Sequence, residues 1–506
     1  MSENPTPGAD HAALIGANPA ERRRAVIDIG SNSVRLVIYD GPRRAPFPIC
    51  NEKALCGLGR DMDDGGALNE RAVDMALSTL ARFRALIFAH GDPKTHVVAT
   101  AAVREAENGA DFVEAVKKIG FDLRVMSGGD EAKYSAFGVV SFEPGASGLV
   151  GDMGGGSLEL IRIENGEVID GASLSIGPFR LMRHCCGDLK AAAREAENAL
   201  GDASFIKETK GGVLYAVGGA WRAIARVHMR LRAHPLPILH HYELPARDAI
   251  EICDLISKQG RASLLETPGV SAKRVDTLPY GAIVLKSVLK QAKISRIQVS
   301  AGGIREGLLF GDLSPEERAI DPLIAGAAFL GSRLAPEPDV GLAVAEFTSG
   351  LFPEETPAEA RVRETASLLV DIGAYFHPDL RGEHAFDTAL RAPFLGVTHS
   401  ERAFIALSLF CRHQGAGGQP LQPEIIAMLT EEERKRAVQL GLAFRFASAF
   451  GPKAPALIQS SSLMRDSARI IFRTKEQLKP LFEETPKKRL DALAASLDAQ
   501  AEAVFD

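Results

Sequence analysis

The sequence predicts an α/β protein with two similar lobes facing a cleft, followed by a mainly α-helical region and a small α+β end. Three observations predict this. From Ala25 to about Gly311, short β-branched runs alternate with stretches of helical apolar spacing, the pattern of α/β folds. The segment Val26-Ile27-Asp28-Ile29-Gly30-Ser31-Asn32-Ser33-Val34-Arg35-Leu36 recurs as Val150-Gly151-Asp152-Met153-Gly154-Gly155-Gly156-Ser157-Leu158-Glu159-Leu160, with Val, Asp, Gly, Ser and Leu in register, which marks an internal repeat. Past Gly311, proline-marked connections separate helices and strand patterns nearly vanish. A chain of 506 residues has room for three or four folded units at about 100–200 residues each.

The elements follow in order. Ala25–Asp28 and Val34–Tyr39 are β-branched runs joined by Gly30-Ser31-Asn32-Ser33, a hairpin with a tight polar turn. Glu70–His90 sets Val73, Leu77, Leu80 and Ile87 on one side of a helix. A strand is expected at His96–Ala101, a helix at Arg104–Ile119, a strand at Phe121–Met126 and a helix at Gly129–Val139 that opens on an acidic pair. The second passage has strands at Leu149–Asp152, Leu158–Ile163 and Glu167–Leu174, helical material to Leu200 and a strand at Val213–Val217. Helices at Ala220–Arg232 and Leu278–Gln291, a strand at Ile297–Ser300 and a helix from Ile304 complete it. Near the end, Ala468–Arg473 reads as a lone strand and Pro486–Phe505 as the last helix. The expected domains are a disordered tail at 1–22, a first lobe at 23–138, a second at 139–311, a helical domain at 312–449 and a small α+β domain at 450–506.

Composition narrows the partners. Lys plus Arg number 59 and Asp plus Glu 65, a formal charge of −6, so bulk attraction to nucleic acid or an anionic membrane is not expected. Any polyanion must meet a local basic site. Six scattered cysteines suit a reducing compartment better than a disulfide framework. With no export signal and no long apolar run, a cytoplasmic, membrane-free protein is expected.

Each repeat carries the same chemistry. In Asp28-Ile29-Gly30 and Asp152-Met153-Gly154 an acid ends a strand, and the turn after it offers backbone N–H groups with little side chain in the way, as phosphate binding requires. Gly30, Ser31, Asn32 and Ser33 form one turn, and Gly154, Gly155, Gly156 and Ser157 the other. Asp28 and Asp152 suit a divalent cation held largely through water. Gly218-Gly219 and Gly302-Gly303 sit between a strand and a helix, beside such a site.

These pieces, with Ala99-Thr100-Ala101-Ala102-Val103-Arg104, Ser127-Gly128-Gly129-Asp130-Glu131-Ala132 and Gly302-Gly303-Ile304-Arg305-Glu306-Gly307, resemble the exopolyphosphatase / guanosine pentaphosphate phosphohydrolase family in order and spacing. The resemblance is strong from about Arg24 to Asp312. It implies ribonuclease-H-like, actin-like ATPase lobes, Mg²⁺, a homodimer, and release of the terminal phosphate of inorganic polyphosphate or of the 5′ phosphate of guanosine pentaphosphate. By position it implies Glu131 as the general base, Asp28, Asp152 and Glu159 as the essential acids and metal ligands, and Arg104 as a phosphate contact. Two departures stand out: Asp130 shortens the first acid of the base motif, and Ser157-Leu158-Glu159 lacks the Thr that commonly precedes the Glu.

The helical region resembles the His-Asp phosphohydrolases in degenerate form, since no histidine is followed by Asp and no ligand spacing is evident. A processive enzyme on a long polyanion needs a cationic groove, for which Arg445, Arg465, Arg469 and Arg473 are candidates. Two readings from other classes use the same turns: an ATP-dependent kinase, and an actin-like ATP switch protein.

Overall fold

A computed structural model describes residues 22–59 and 66–506. The expected tail, except for Arg22, lies outside the described residues. The chain divides into two compact units between Ile320 and Asp321.

The N-terminal unit holds two sheets. The first runs β3-β2-β1-β4-β5, from β1 (Arg24–Ile29), β2 (Val34–Asp40), β3 (Phe47–Ala54), β4 (Lys94–Ala99) and β5 (Leu123–Val125). The β1–β2 hairpin sets Asp28 opposite Arg35, and β4 joins β1 in parallel. The second runs β10-β11-β9-β6-β7-β8, from β6 (Gly148–Met153), β7 (Leu158–Glu164), β8 (Glu167–Leu174), β9 (Val213–Gly218), β10 (Glu243–Pro245) and β11 (Arg296–Val299). Its β6–β7 hairpin sets Asp152 opposite Glu159, and β9 joins β6 in parallel. Without the edge strand β10, the two strand orders coincide. The sequence repeat is therefore a structural one, and both lobes are ribonuclease-H-like.

One face of each sheet packs on its own lobe's helices. Ile27, Ile29, Leu36 and Ile38 meet Ala76, Leu80, Phe83 and Ile87 of the helix Glu70–Ala89. In the second lobe Leu149, Leu158 and Leu160 share a core with Trp221 and with Val284 and Val288 of the helix Leu278–Gln291. The opposite faces are covered by exchange. The helix Gly128–Phe142 follows β5, yet its Ala132, Ala136, Val139 and Val140 pack on Val150, Ile161 and Val217 of the second sheet. The helix Ile304–Gly311 follows β11, yet its Leu308 and Leu309 pack with Val26, Val37 and Val98 of the first. The expected lobe boundary at 138/139 thus falls inside the first of these helices.

The two exchanged helices meet backbone to backbone. A Cβ added at Gly307 would lie 1.8 Å from the carbonyl oxygen of Tyr134, and one at Gly138 would lie 2.2 Å from that of Gly303. Only glycine permits this approach.

Several elements differ from the reading of the sequence. The helix expected at Arg104–Ile119 is two, Ala101–Glu105 and Gly109–Lys118. The break frees Asn108 to accept from Leu68 N (2.8 Å) and donate to Leu68 O (3.1 Å), which docks the segment before Glu70. Strands β3 and β10 are edge strands whose polar or very short runs hide the period-two signal.

In the C-terminal unit, helices from Pro322 to Phe450 precede a sheet of order β12-β13-β14, formed by Ser462–Asp466, Arg469–Thr474 and Gln500–Phe505. Thr356, Thr398 and Thr430 open three of these helices with capping boxes to Glu359, Glu401 and Glu433. The expected final helix stops at Ser496. Asp498, at φ 54°, turns the chain back, and β14 then pairs in parallel with β13. Phe446, Phe450 and Phe482 surround Phe472 beneath this sheet at ring separations of 5.0, 4.8 and 5.4 Å.

Candidate active site

The two hairpin turns are built alike and face one another. Gly30 N donates to Ser33 O and Gly154 N to Ser157 O, each at 3.0 Å. A Cβ on Gly156 would lie 3.8 Å from Ser31 Oγ, so the turns stand close across the lobes. Gly177 and Phe179 donate from their amides to the carbonyl oxygens of Gly156 and Gly155, both at 3.0 Å. This engages the groups that would repel a phosphate. Around the turns lies a cavity of about 820 Å³, lined by Asp28, Asp152, Glu131 and Glu159 and by Gly30–Ser33 and Gly154–Ser157. The four expected acids and both turns therefore share one crevice.

Burial governs its carboxylates. Desolvation raises the carboxyl pKa of Asp28 and of Asp152, opposed at Asp28 by Arg305 (3.3 Å) and at Asp152 by a hydrogen bond from Ser135 Oγ (2.8 Å). Glu159 is pushed up by burial and by the negative charge of Glu131 and Asp152, although it accepts from Ser173 Oγ at 2.9 Å. Glu131 is 2% exposed and is likewise raised by burial. Arg104 Nη1 lies 3.2 Å from Glu131 Oε1 as an ion pair without hydrogen-bond alignment, so that buried oxygen keeps an unfilled acceptor position. Asp130, the shortened acid, turns outward to Arg124 (2.9 Å) and the Ser127 hydroxyl (2.9 Å).

Arg104, expected as a phosphate contact, is instead spent on Glu131 and on the carbonyl of Met126 (2.7 Å), and it is not among the cavity's lining residues. Its positive charge lowers the Glu131 pKa against the larger effect of burial. With Glu131 in the expected role of general base, the base form exists above the raised pKa, and kcat/KM is expected to rise with pH through that value. Arg104→Ala removes a lowering influence and moves this acid limb up by about one pH unit or more, read from the pH profile of kcat/KM.

The sequence reading missed the cations. Arg35, Lys53, Arg222, Lys273, Arg274 and Arg305 all line the cavity. Arg222 is pushed down to about 10 by burial and by Arg305, and burial together with Arg274, Arg35, Arg222 and Arg305 lowers Lys53. Such mutual repulsion marks a site awaiting an anion. Arg35 had a signal, as the register partner of Asp28, and Arg305 stands in the Gly302-Gly303 motif. Lys53, on edge strand β3, and the loop residues Lys273 and Arg274 had none. Gly218 and Gly219 serve this group: Gly218 adopts φ 95° at the end of β9, and a Cβ on Gly219 would lie 2.4 Å from the Arg274 guanidinium.

Among the described residues no three His, Cys, Asp or Glu side chains gather closely enough to hold a metal alone. Asp28 and Asp152 nevertheless suit magnesium, which commonly takes one or two carboxylates and fills its shell with water and substrate phosphates.

The arginines expected to line a cationic groove in the C-terminal unit are each already partnered within the chain. Arg445 donates to the carbonyls of Arg412 and His413, and Arg465 to that of Leu497 (3.3 Å). Arg469 pairs with Asp466 (2.8 Å) and Glu502 (2.9 Å), and Arg473 with Asp506 (3.0 Å). The β12–β13 turn and strand β14 bring these acids alongside, which sequence spacing conceals.

A profile of the Ppx/GppA phosphatase family matches residues 37–316, and one of the exopolyphosphatase C-terminal region matches 340–504. Exopolyphosphatase 1 of Mycobacterium tuberculosis is 28% identical over 307 residues, covering 58% of this chain and 89% of that protein. Exopolyphosphatase 2 of the same species is 26% identical over 314 residues, covering 56% and 97%. The crystal structure of an exopolyphosphatase from Cytophaga hutchinsonii matches with a TM-score of 0.53 at 26% identity, covering 57% of this chain and 96% of that one. The Aquifex aeolicus Ppx/GppA enzyme, at 24% identity and a TM-score of 0.51, covers 57% and 99% and shares the fold.

Proposed function

The chain belongs to the Ppx/GppA phosphatase family and is a phosphoanhydride hydrolase, and on that premise we propose that it is a magnesium-dependent exopolyphosphatase, releasing the terminal phosphate of inorganic polyphosphate processively. The observation that carries this reading is the pairing, in one cavity, of twin phosphate turns with six cationic side chains and the buried Glu131 carboxylate.

The chain's own residues divide the work. Backbone amides of Ser31–Ser33 and Gly155–Ser157, whose turns are closed by the Gly30 and Gly154 amides, cradle the terminal phosphoryl. Glu131, which lines the cavity, orients a water and takes its proton as the new P–O bond forms. The anhydride bond to the next phosphate breaks, and the shortened chain leaves with the electron pair while Arg222, Lys53 and Arg274 balance its charge. Magnesium on Asp28, Asp152 and the phosphate oxygens would supply further charge neutralisation, with Glu159 beside them. The match of residues 340–504 to the exopolyphosphatase C-terminal profile favours polyphosphate as the substrate.

All six cysteines are free, in keeping with a reducing cytoplasm. Among the described residues no helix is long and apolar enough to cross a membrane. The homodimer is part of the same proposal and rests on the family likeness alone.

The test is phosphate release from long polyphosphate, guanosine pentaphosphate and ATP under identical conditions. We expect kcat/KM for long polyphosphate to exceed that for guanosine pentaphosphate at least tenfold, a difference of about 1.4 kcal/mol in transition-state stabilisation. A preference for guanosine pentaphosphate rejects the substrate assignment, and release from ATP alone rejects the whole reading.

A further inference from the structure

Among the described residues, Arg305 is the cavity cation in contact with a phosphate-turn acid. It opens the helix Ile304–Gly311, and its Nη1 lies 3.3 Å from Asp28 Oδ2 at the end of β1. Glu306, the next residue, lies 3.8 Å from its Nε. Glu306 is itself fixed, accepting from Tyr39 Oη at Oε1 (2.7 Å) and from Gly303 N at Oε2 (3.0 Å). The Arg305 Nε is buried without a hydrogen-bond partner, while the side chain keeps 14% exposure and lines the cavity. Arg35 and Arg222 press on it with like charge.

A guanidinium so placed has two anionic claimants. Without phosphate, Asp28 is largely desolvated and needs positive charge nearby; Arg35 and Lys53 also act on it, and Arg305 is the one in contact. A divalent cation arriving at Asp28 would set like charge against that guanidinium within contact distance, where Coulomb energies are large. The nearest new negative charge would then be the phosphoryl group between the turns. Glu306 stands 3.8 Å from a guanidinium Nε that makes no hydrogen bond, so the far end of the side chain can turn from one anion to the other.

We propose that Arg305 is the resting counter-ion of Asp28 and that, when cation and phosphate chain arrive, its guanidinium passes from that carboxylate to the transferred phosphoryl and stabilises it in the transition state. Arg305 is then a catalytic residue, and Glu306 and Tyr39 are positioning residues. The proposal rests on the cavity being the phosphoryl-transfer site, but its first test uses neither phosphate nor turnover.

Manganese alone is titrated into the full, phosphate-free chain at pH 8 and free Mn²⁺ is read by electron paramagnetic resonance. Arg305→Gln is expected to bind Mn²⁺ at least tenfold more tightly than the parent, because Asp28 no longer has an internal competitor, and adding Asp28→Asn should abolish the gain. Equal affinities in the parent and Arg305→Gln overturn the counter-ion role. If circular dichroism shows that Arg305→Gln does not fold, Arg305→Met, which removes the charge and keeps an unbranched side chain, carries the same comparison. In turnover of tripolyphosphate, Arg305→Ala should lower kcat at least 10³-fold with little change in KM, and added guanidinium ion should restore part of the loss. A fall in kcat that guanidinium cannot rescue assigns Arg305 a structural part and overturns the transfer. If the parent itself releases no phosphate from any polyphosphate, the proposed function fails, and the manganese comparison still decides the counter-ion role.

Discussion

Glu131→Gln lowers kcat roughly 10²–10⁴-fold while binding of the phosphate chain stays within a few-fold of the parent. The amide fills the same volume at a site 2% exposed, and it still meets Arg104, so the local packing survives. It no longer takes a proton. The residues assigned to hold the substrate are the two turns and the cavity's cations, and Glu131 is none of these. Single-turnover phosphate release, paired with equilibrium binding of a labelled polyphosphate, measures both halves. A variant that loses affinity and rate together would show Glu131 to be a structural support for the cleft, and near-normal turnover would remove it from the reaction.

The second large effect concerns the crossing of the exchanged helices. In Gly307→Ala the new methyl carbon would lie 1.8 Å from the Tyr134 carbonyl oxygen, and a backbone atom cannot swing aside as the tip of a side chain can. The helices must separate, at a cost of about 1–3 kcal/mol or more. We expect a lower urea midpoint for the N-terminal unit together with loss of activity, since Arg305 and Glu306 sit on the displaced helix. Gly201→Ala is the matched control: a Cβ there meets nothing within 4 Å, and the residue ends the helix Leu189–Gly201. Its midpoint should stay at or above the parent's.

The strands that carry the turns were legible because their residues obey local rules. Asp28 and Asp152 end β-branched runs, and their glycine turns follow at once. The Gly218-Gly219 pair was placed beside the site, and the structure supplies the reason in a positive φ and the guanidinium of Arg274. What stayed hidden depends on partners distant in sequence. Lys53 and Arg274 reach one cavity from a polar edge strand and a loop, and no periodicity connects them. Arg104 looked like a phosphate ligand because motif position does not say which way a side chain turns, and it turns to Glu131. The C-terminal arginines looked unopposed because the acids that balance them arrive through β14, which the helical reading of Pro486–Phe505 had erased.

The traded helices also bear on how this unit can be taken apart. Each half of the duplicated region leaves its outer apolar sheet face bare until the other half's chain arrives, so a fragment ending before Gly128, or one beginning after Phe142, would expose a greasy surface meant for a missing companion. The two repeats form interlocked halves, and a split of the coding sequence at the apparent midpoint is expected to yield two sticky pieces competent only when expressed side by side.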